Sequence, residues 1–122
     1  MLVSNSETEV SMSDEKTARI CALNDQFRST FIGGRVVFTQ GLVALPEADR
    51  DAIVKIIQRF DDFSEHENDP YSEHDFGSFD YKGDTIFFKI DYYDTDLKYG
   101  SPDPADPTVT TRVMTVMLAE EY

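Results

Sequence analysis

Apolar residues recur along this chain with two periods, and the change between them divides it. Ile20, Leu23, Asn24 and Phe27 fall at helical spacing, with Ala18 and Cys21 near the same stripe. Ser13 suits an N-cap, and Asp14 and Glu15 follow in the first turn, where carboxylates favour the helix dipole. This predicts a helix from Ser13 to about Arg28. After Gly33-Gly34, the run Arg35–Thr39 predicts a short strand closed by Gln40-Gly41. A second helix begins at Pro46, whose missing N–H is no loss in a first turn. Ile53, Ile56, Ile57 and Phe60 give it one apolar face, with acids early (Glu47, Asp49, Asp51) and bases late (Lys55, Arg59).

From Phe76 the period becomes two. Phe76–Tyr81 and Thr85–Tyr93 predict a hairpin turning at Lys82-Gly83-Asp84. Ile86, Phe88, Ile90 and Tyr92 share its buried face; Thr85, Phe87, Lys89, Asp91 and Tyr93 share the other. Asp94–Pro107, with Gly100 and three prolines, predicts an irregular, rigid loop. Thr108–Ala119 is apolar on both faces, which predicts a central strand. Helices first and strands after give an α+β fold: two helices packed on one face of a small antiparallel β-sheet of about four strands. Residues 1–12 offer little to bury and are expected as a disordered tail; residues 13–122 form a single domain.

Charge sharpens this picture. Asp61–Asp106 holds three bases against fourteen acids, a net of −11 within a chain total of −13. The acids are interleaved with aromatic residues, as in a folded carboxylate-bearing surface rather than a solvated tail. A pI near 4.3 argues against direct binding to nucleic acid or to an anionic membrane. It favours a basic protein partner. Asp69, Glu73, Asp75, Asp80, Asp84, Asp91, Asp94 and Asp96 are the candidate partner-binding residues. Alternate strand residues lie about 6.6 Å apart, so Asp94 with Asp96, or Asp80 with Asp91 on facing strands, can form a row of phosphate-like charges. The partner expected is a basic, nucleic-acid-binding protein, blocked by mimicry of nucleic acid.

The sequence contains no nucleotide-binding, CxxC, HExxH or nucleophile-elbow motif. No cofactor is expected, and Cys21, within a helical stripe, reads as a small buried hydrophobe. The alternative is a small metal-dependent or acid–base enzyme using His66, His74 and nearby carboxylates. An antitoxin-like partner of a basic protein is a further alternative. A single cysteine, no signal-peptide pattern and no membrane-length apolar run lead to an expected cytoplasmic location in a bacterial host.

Several segments resemble a proteobacterial domain-of-unknown-function family common on plasmids and other mobile elements. They are LND at Leu23–Asp25, FIGGRVVFTQG at Phe31–Gly41, FDDF at Phe60–Phe63 and NDPYSEHDFG at Asn68–Gly77. KIDYYD at Lys89–Asp94, SPDPADP at Ser101–Pro107 and TRVMTVMLAEEY at Thr111–Tyr122 complete the resemblance. It implies a bacterial, phage or plasmid setting and assigns no chemistry. Small acidic proteins of such elements often inhibit host defence nucleases. By analogy, the expected target is a CRISPR effector subunit or another defence nuclease, which makes the chain an anti-CRISPR type of inhibitor.

Overall fold

Lys82 and Gly83 fix the hairpin. Both have positive φ, 48° and 88°, the two-residue turn geometry whose twist matches that of the flanking strands. The turn is therefore one residue shorter than the sequence reading: Asp84 already belongs to the return strand. In the computed structural model, which describes residues 2–63 and 69–122, with side chains from residue 14, the elements follow in order. They are α1 (Leu2–Thr30), β1 (Gly34–Phe38), α2 (Gln40–Val43), α3 (Glu47–Arg59), β2 (Phe76–Tyr81), β3 (Asp84–Tyr93) and β4 (Thr111–Leu118). A short 3-10 turn, Ala119–Glu121, follows.

The fold is α+β with four strands, as expected, but the sheet is mixed. Its order is β1-β4-β3-β2. β4 runs antiparallel to β3 and parallel to β1, with Val36 opposite Met114. The chain leaves β1 through α2 and α3 and crosses to the far edge before returning. The last strand is then inserted between β1 and β3, and no local hairpin signal encodes that pairing. α2 is an additional short helix where a strand end was expected. Glu121 holds it: Oε2 accepts the Gly41 N–H at 2.9 Å, and Oε1 accepts the Thr39 hydroxyl at 2.5 Å. The α1 backbone is helical from Leu2, ahead of the Ser13 cap. The side chains of 1–12, the expected tail, lie outside the described residues.

One face of the sheet is covered. Ile86, Phe88, Met114 and Val116 are fully buried against Phe27 of α1 and Ile53 and Ile57 of α3, with Phe60 just beyond. Among the described residues, the core helix residues Phe27, Leu42, Ile53 and Ile57 lie on that covered face; the opposite face carries Phe76, Phe87, Lys89, Asp91, Val113 and Thr115. Tyr122 leans on its edge, with ring centroids 6.1 Å from Phe76 and 5.8 Å from Phe87. No helix among the described residues is long and apolar enough to cross a membrane.

Candidate functional site

The 69–75 loop joins the two sides of the molecule, and Asp69 shapes it. Its Oδ1 accepts the N–H groups of Glu73 and His74 at 2.8 and 3.0 Å, a local turn of the kind short carboxylates favour. His74 is thereby held at a φ of 56°, uncommon for a residue with a Cβ. Its ring stacks on Phe63, 4.0 Å between centroids and 8° from parallel. Nδ1 lies 2.8 Å from Oδ1 of Asp25, and Nε2 lies 3.6 Å from Oδ2 of Asp69. Arg28 reaches the same Asp25 oxygen at 2.6 Å. Burial works against the Asp25 charge, but hydrogen bonds from Arg28 and His74 hold its carboxyl below the usual range.

Beneath this loop is a buried polar network. Asn24, fully buried on α1, donates to the Glu73 carbonyl at 2.9 Å and to the Tyr92 hydroxyl at 2.8 Å. Its Oδ1 accepts from Arg112 Nε at 2.7 Å. Arg112 also donates to the Pro104 carbonyl at 2.6 Å and lies over the Tyr92 ring. The Tyr92 hydroxyl donates to Glu73 at 2.8 Å. Burial raises the Tyr92 pKa, so the phenol stays protonated. The Cys21 Sγ faces the Asp25 carboxylate at 3.8 Å. Burial, then the Asp25 and Asp69 charges, push its thiol up to about 11.

The loop's outer end opens into a cleft of about 340 Å³. Tyr71, Phe76 and Tyr122 supply rings, and Asp75, Asp91 and Lys89 supply charge. Lys89 Nζ sits 3.3 Å from Asp91 and 5.9 Å from the Tyr122 ring centroid. The cleft thus already holds one cation by a carboxylate and a π-face, in a geometry that attracts ammonium and guanidinium groups. Asp75 has no basic side chain within ion-pair range among the described residues. Burial, then the charge of Glu73, raise its carboxyl to about 6.

The eight acids named from sequence fall into different places. Asp75 and Asp91 converge on the cleft, and Glu73 stands behind them, engaged by Tyr92. Asp69 is buried and shapes the loop from inside. Asp80 and Asp84 form a separate acidic pole at the hairpin turn. Asp80 accepts the Thr85 hydroxyl at 2.9 Å. Asp94 caps the turn after β3 through the Lys98 N–H, with Asp96 exposed beside it. The expected row of charges is not formed. β3 ends at Tyr93, so Asp94 and Asp96 lie in a turn, not on a strand. Asp80 opposes Thr85, roughly 20 Å along β3 from Asp91 at strand rise. His66 lies outside the described residues. Asp25, Arg112 and the ring of Tyr122 had no part in the sequence reading of the site, whereas Tyr71 belongs to the aromatics interleaved with the acids of Asp61–Asp106. One signal for the network was available: Asn24, a polar residue inside an apolar stripe.

Residues 38–121 match the family described as Protein of unknown function (DUF3768). The chain belongs to this family. The match thus spans α2, α3, the 69–75 loop and strands β2, β3 and β4, whereas α1, with its Cys21–Arg28 segment, and all of β1 but Phe38 lie before the matched region. No curated protein and no solved structure is significantly similar to the chain.

Proposed function

We propose that this DUF3768 protein is a non-enzymatic binding protein that takes a basic, nucleic-acid-binding protein as its partner and competes with nucleic acid for it. The observation that carries this reading is Asp75, a half-buried carboxylate without a basic partner among the described residues, beside Asp91 in an aromatic cleft. An arginine or lysine of a partner entering there gains a charge-assisted contact and an aromatic face together. The acids at the hairpin and at Asp94–Asp96 extend the negative field and steer approach. A CRISPR effector or another defence nuclease, with its positively charged nucleic-acid channel, has the chemistry this surface fits.

The test is affinity capture from a host that carries CRISPR and restriction systems, repeated with DNA as competitor. Reversing both cleft carboxylates (Asp75→Lys with Asp91→Lys) should weaken capture at least about tenfold, since interface energy concentrates in few residues. Reversing the exposed Asp51 on α3 should not. Because Asp75 titrates near 6 and only its ionised form attracts a cation, binding should weaken as pH falls through that value. Asp75→Asn should flatten that step. Simultaneous binding of DNA and this protein, or indifference to the cleft reversals, would remove the reading.

A further inference from the structure

We infer that Cys21, Asp25 and His74 form a site for a thiophilic divalent cation of the zinc type, which clamps the 69–75 loop to α1. This inference does not rest on the proposed partner, and it departs from the expectation of no cofactor. A thiol sulfur, a carboxylate oxygen and an imidazole nitrogen lie within 4.8 Å of one another. Thiolate and imidazole together select zinc or a late transition metal over magnesium or calcium. Cys21 and Asp25 stand four residues apart on α1, one above the other on a single helix face. The separations of 3.8 Å from Sγ to Asp25 Oδ2 and 2.8 Å from His74 Nδ1 to Oδ1 are close to ~3.3–3.5 Å. Those are the edges of a tetrahedron with ordinary zinc–ligand bonds. The two contacts reach different oxygens of Asp25, and with all three donors within 4.8 Å of one another, small side-chain adjustments bring them onto one ion, with the partly exposed side leaving a fourth position to water.

Two further features favour a ligand role over a chance meeting of side chains. The His74 ring is fixed before any ion arrives, by the Phe63 stack and by the turn that Asp69 imposes. The second nitrogen of that ring faces a buried carboxylate, Asp69, the arrangement that commonly orients a metal-bound histidine. Charge balances as well. The carboxylates of Asp25 and Asp69 and a Cys21 thiolate, set against the Arg28 guanidinium, leave two negative charges for a divalent ion. On binding, the thiol proton is released to solvent as the sulfur–metal bond forms.

Titration of the full chain with Zn2+ in a calorimeter should show one equivalent bound and a thermal midpoint that rises with metal. Co2+ should give a thiolate-to-cobalt charge-transfer band in the near ultraviolet, a signature no purely structural role of Cys21 produces. Cys21→Ser should abolish that band and weaken binding at least about tenfold. Asp69→Asn, which keeps the oxygen that shapes the loop, should weaken it about 10–100-fold. His66→Ala should leave it unchanged. Circular dichroism of each metal-free variant checks folding, and the near-isosteric Asp25→Asn replaces any variant that fails to fold. Absence of stoichiometric metal, absence of the cobalt band, or affinity that survives both Cys21→Ser and Asp25→Asn would overturn the site.

Discussion

Phe88→Ala should lower stability by about 3–5 kcal/mol, the range for a buried aromatic truncated to a methyl group. Phe88 is fully buried at the centre of β3. Its ring meets Phe60 edge-on at 5.2 Å and Phe63 at 6.3 Å. It also lies over Gly77, its partner on β2. The glycine is there because the ring is: a Cβ at position 77 would fall inside van der Waals contact with the Phe88 ring and with Phe60. Gly77→Ala should therefore overpack the same point, at a cost of about 1–3 kcal/mol. Phe87→Ala, one residue away on the open face, should cost clearly less than Phe88→Ala. Urea unfolding of the three variants checks the pattern. Phe87→Ala costing more than Phe88→Ala would mean that the strand faces are exchanged, because a one-residue slip moves every side chain across the sheet.

These positions were legible because alternation is local. Ile86, Phe88 and Ile90 on one face, and the 3.6-residue stripe of Ile53, Ile57 and Phe60, name their own burial whatever packs on them. β4 was legible as central for the same reason, being apolar on both faces. Its parallel pairing with β1 was not, since nothing within β4 records which strand comes to lie beside it. The acids show the same limit in sharper form. A run of carboxylates in sequence reads as one charged surface. The fold instead turns Asp69 inward as a backbone acceptor, spends Asp94 on a turn and sets Asp80 far from Asp91. Only the loop that brings Asp75 over β3 decides which of them meet. His74 was visible as a residue of interest, but its partner Asp25 lies 49 positions earlier, across a helix–loop contact that no spacing rule reaches. Arg112 shares the face of Met114 and Val116, so alternation alone would have buried it. A charge in that place signals a network and leaves its members unnamed.

Arg112→Met should be about as damaging as the loss of Phe88, about 3–5 kcal/mol, although it keeps much of the side chain's volume. Arg112 is buried, and its two hydrogen bonds are charge-assisted, each of a kind that contributes about 1.5–3 kcal/mol. Methionine supplies neither donor. The Asn24 oxygen is then left buried without its partner, and the Pro104 carbonyl loses its tie to β4, although Arg19 still donates from α1 to the neighbouring Ala105 carbonyl. Asn24→Leu should be costly by the same reasoning, since it releases the Glu73 carbonyl and the Tyr92 hydroxyl. The double variant decides whether these groups act as a unit. With both polar partners gone, the Asn24 oxygen and the Arg112 Nε no longer stand orphaned, so the double variant leaves fewer unsatisfied atoms than the two single changes added together, and the combined cost should fall short of the sum by about 0.5–3 kcal/mol. Strict additivity in urea unfolding, with unchanged m-values, would show that Asn24 and Arg112 are independent. A coupled result would make the network one element: it carries α1 and β4 on one side and, through Glu73, sets the loop that places His74 beside Asp25 and Asp75 in the cleft.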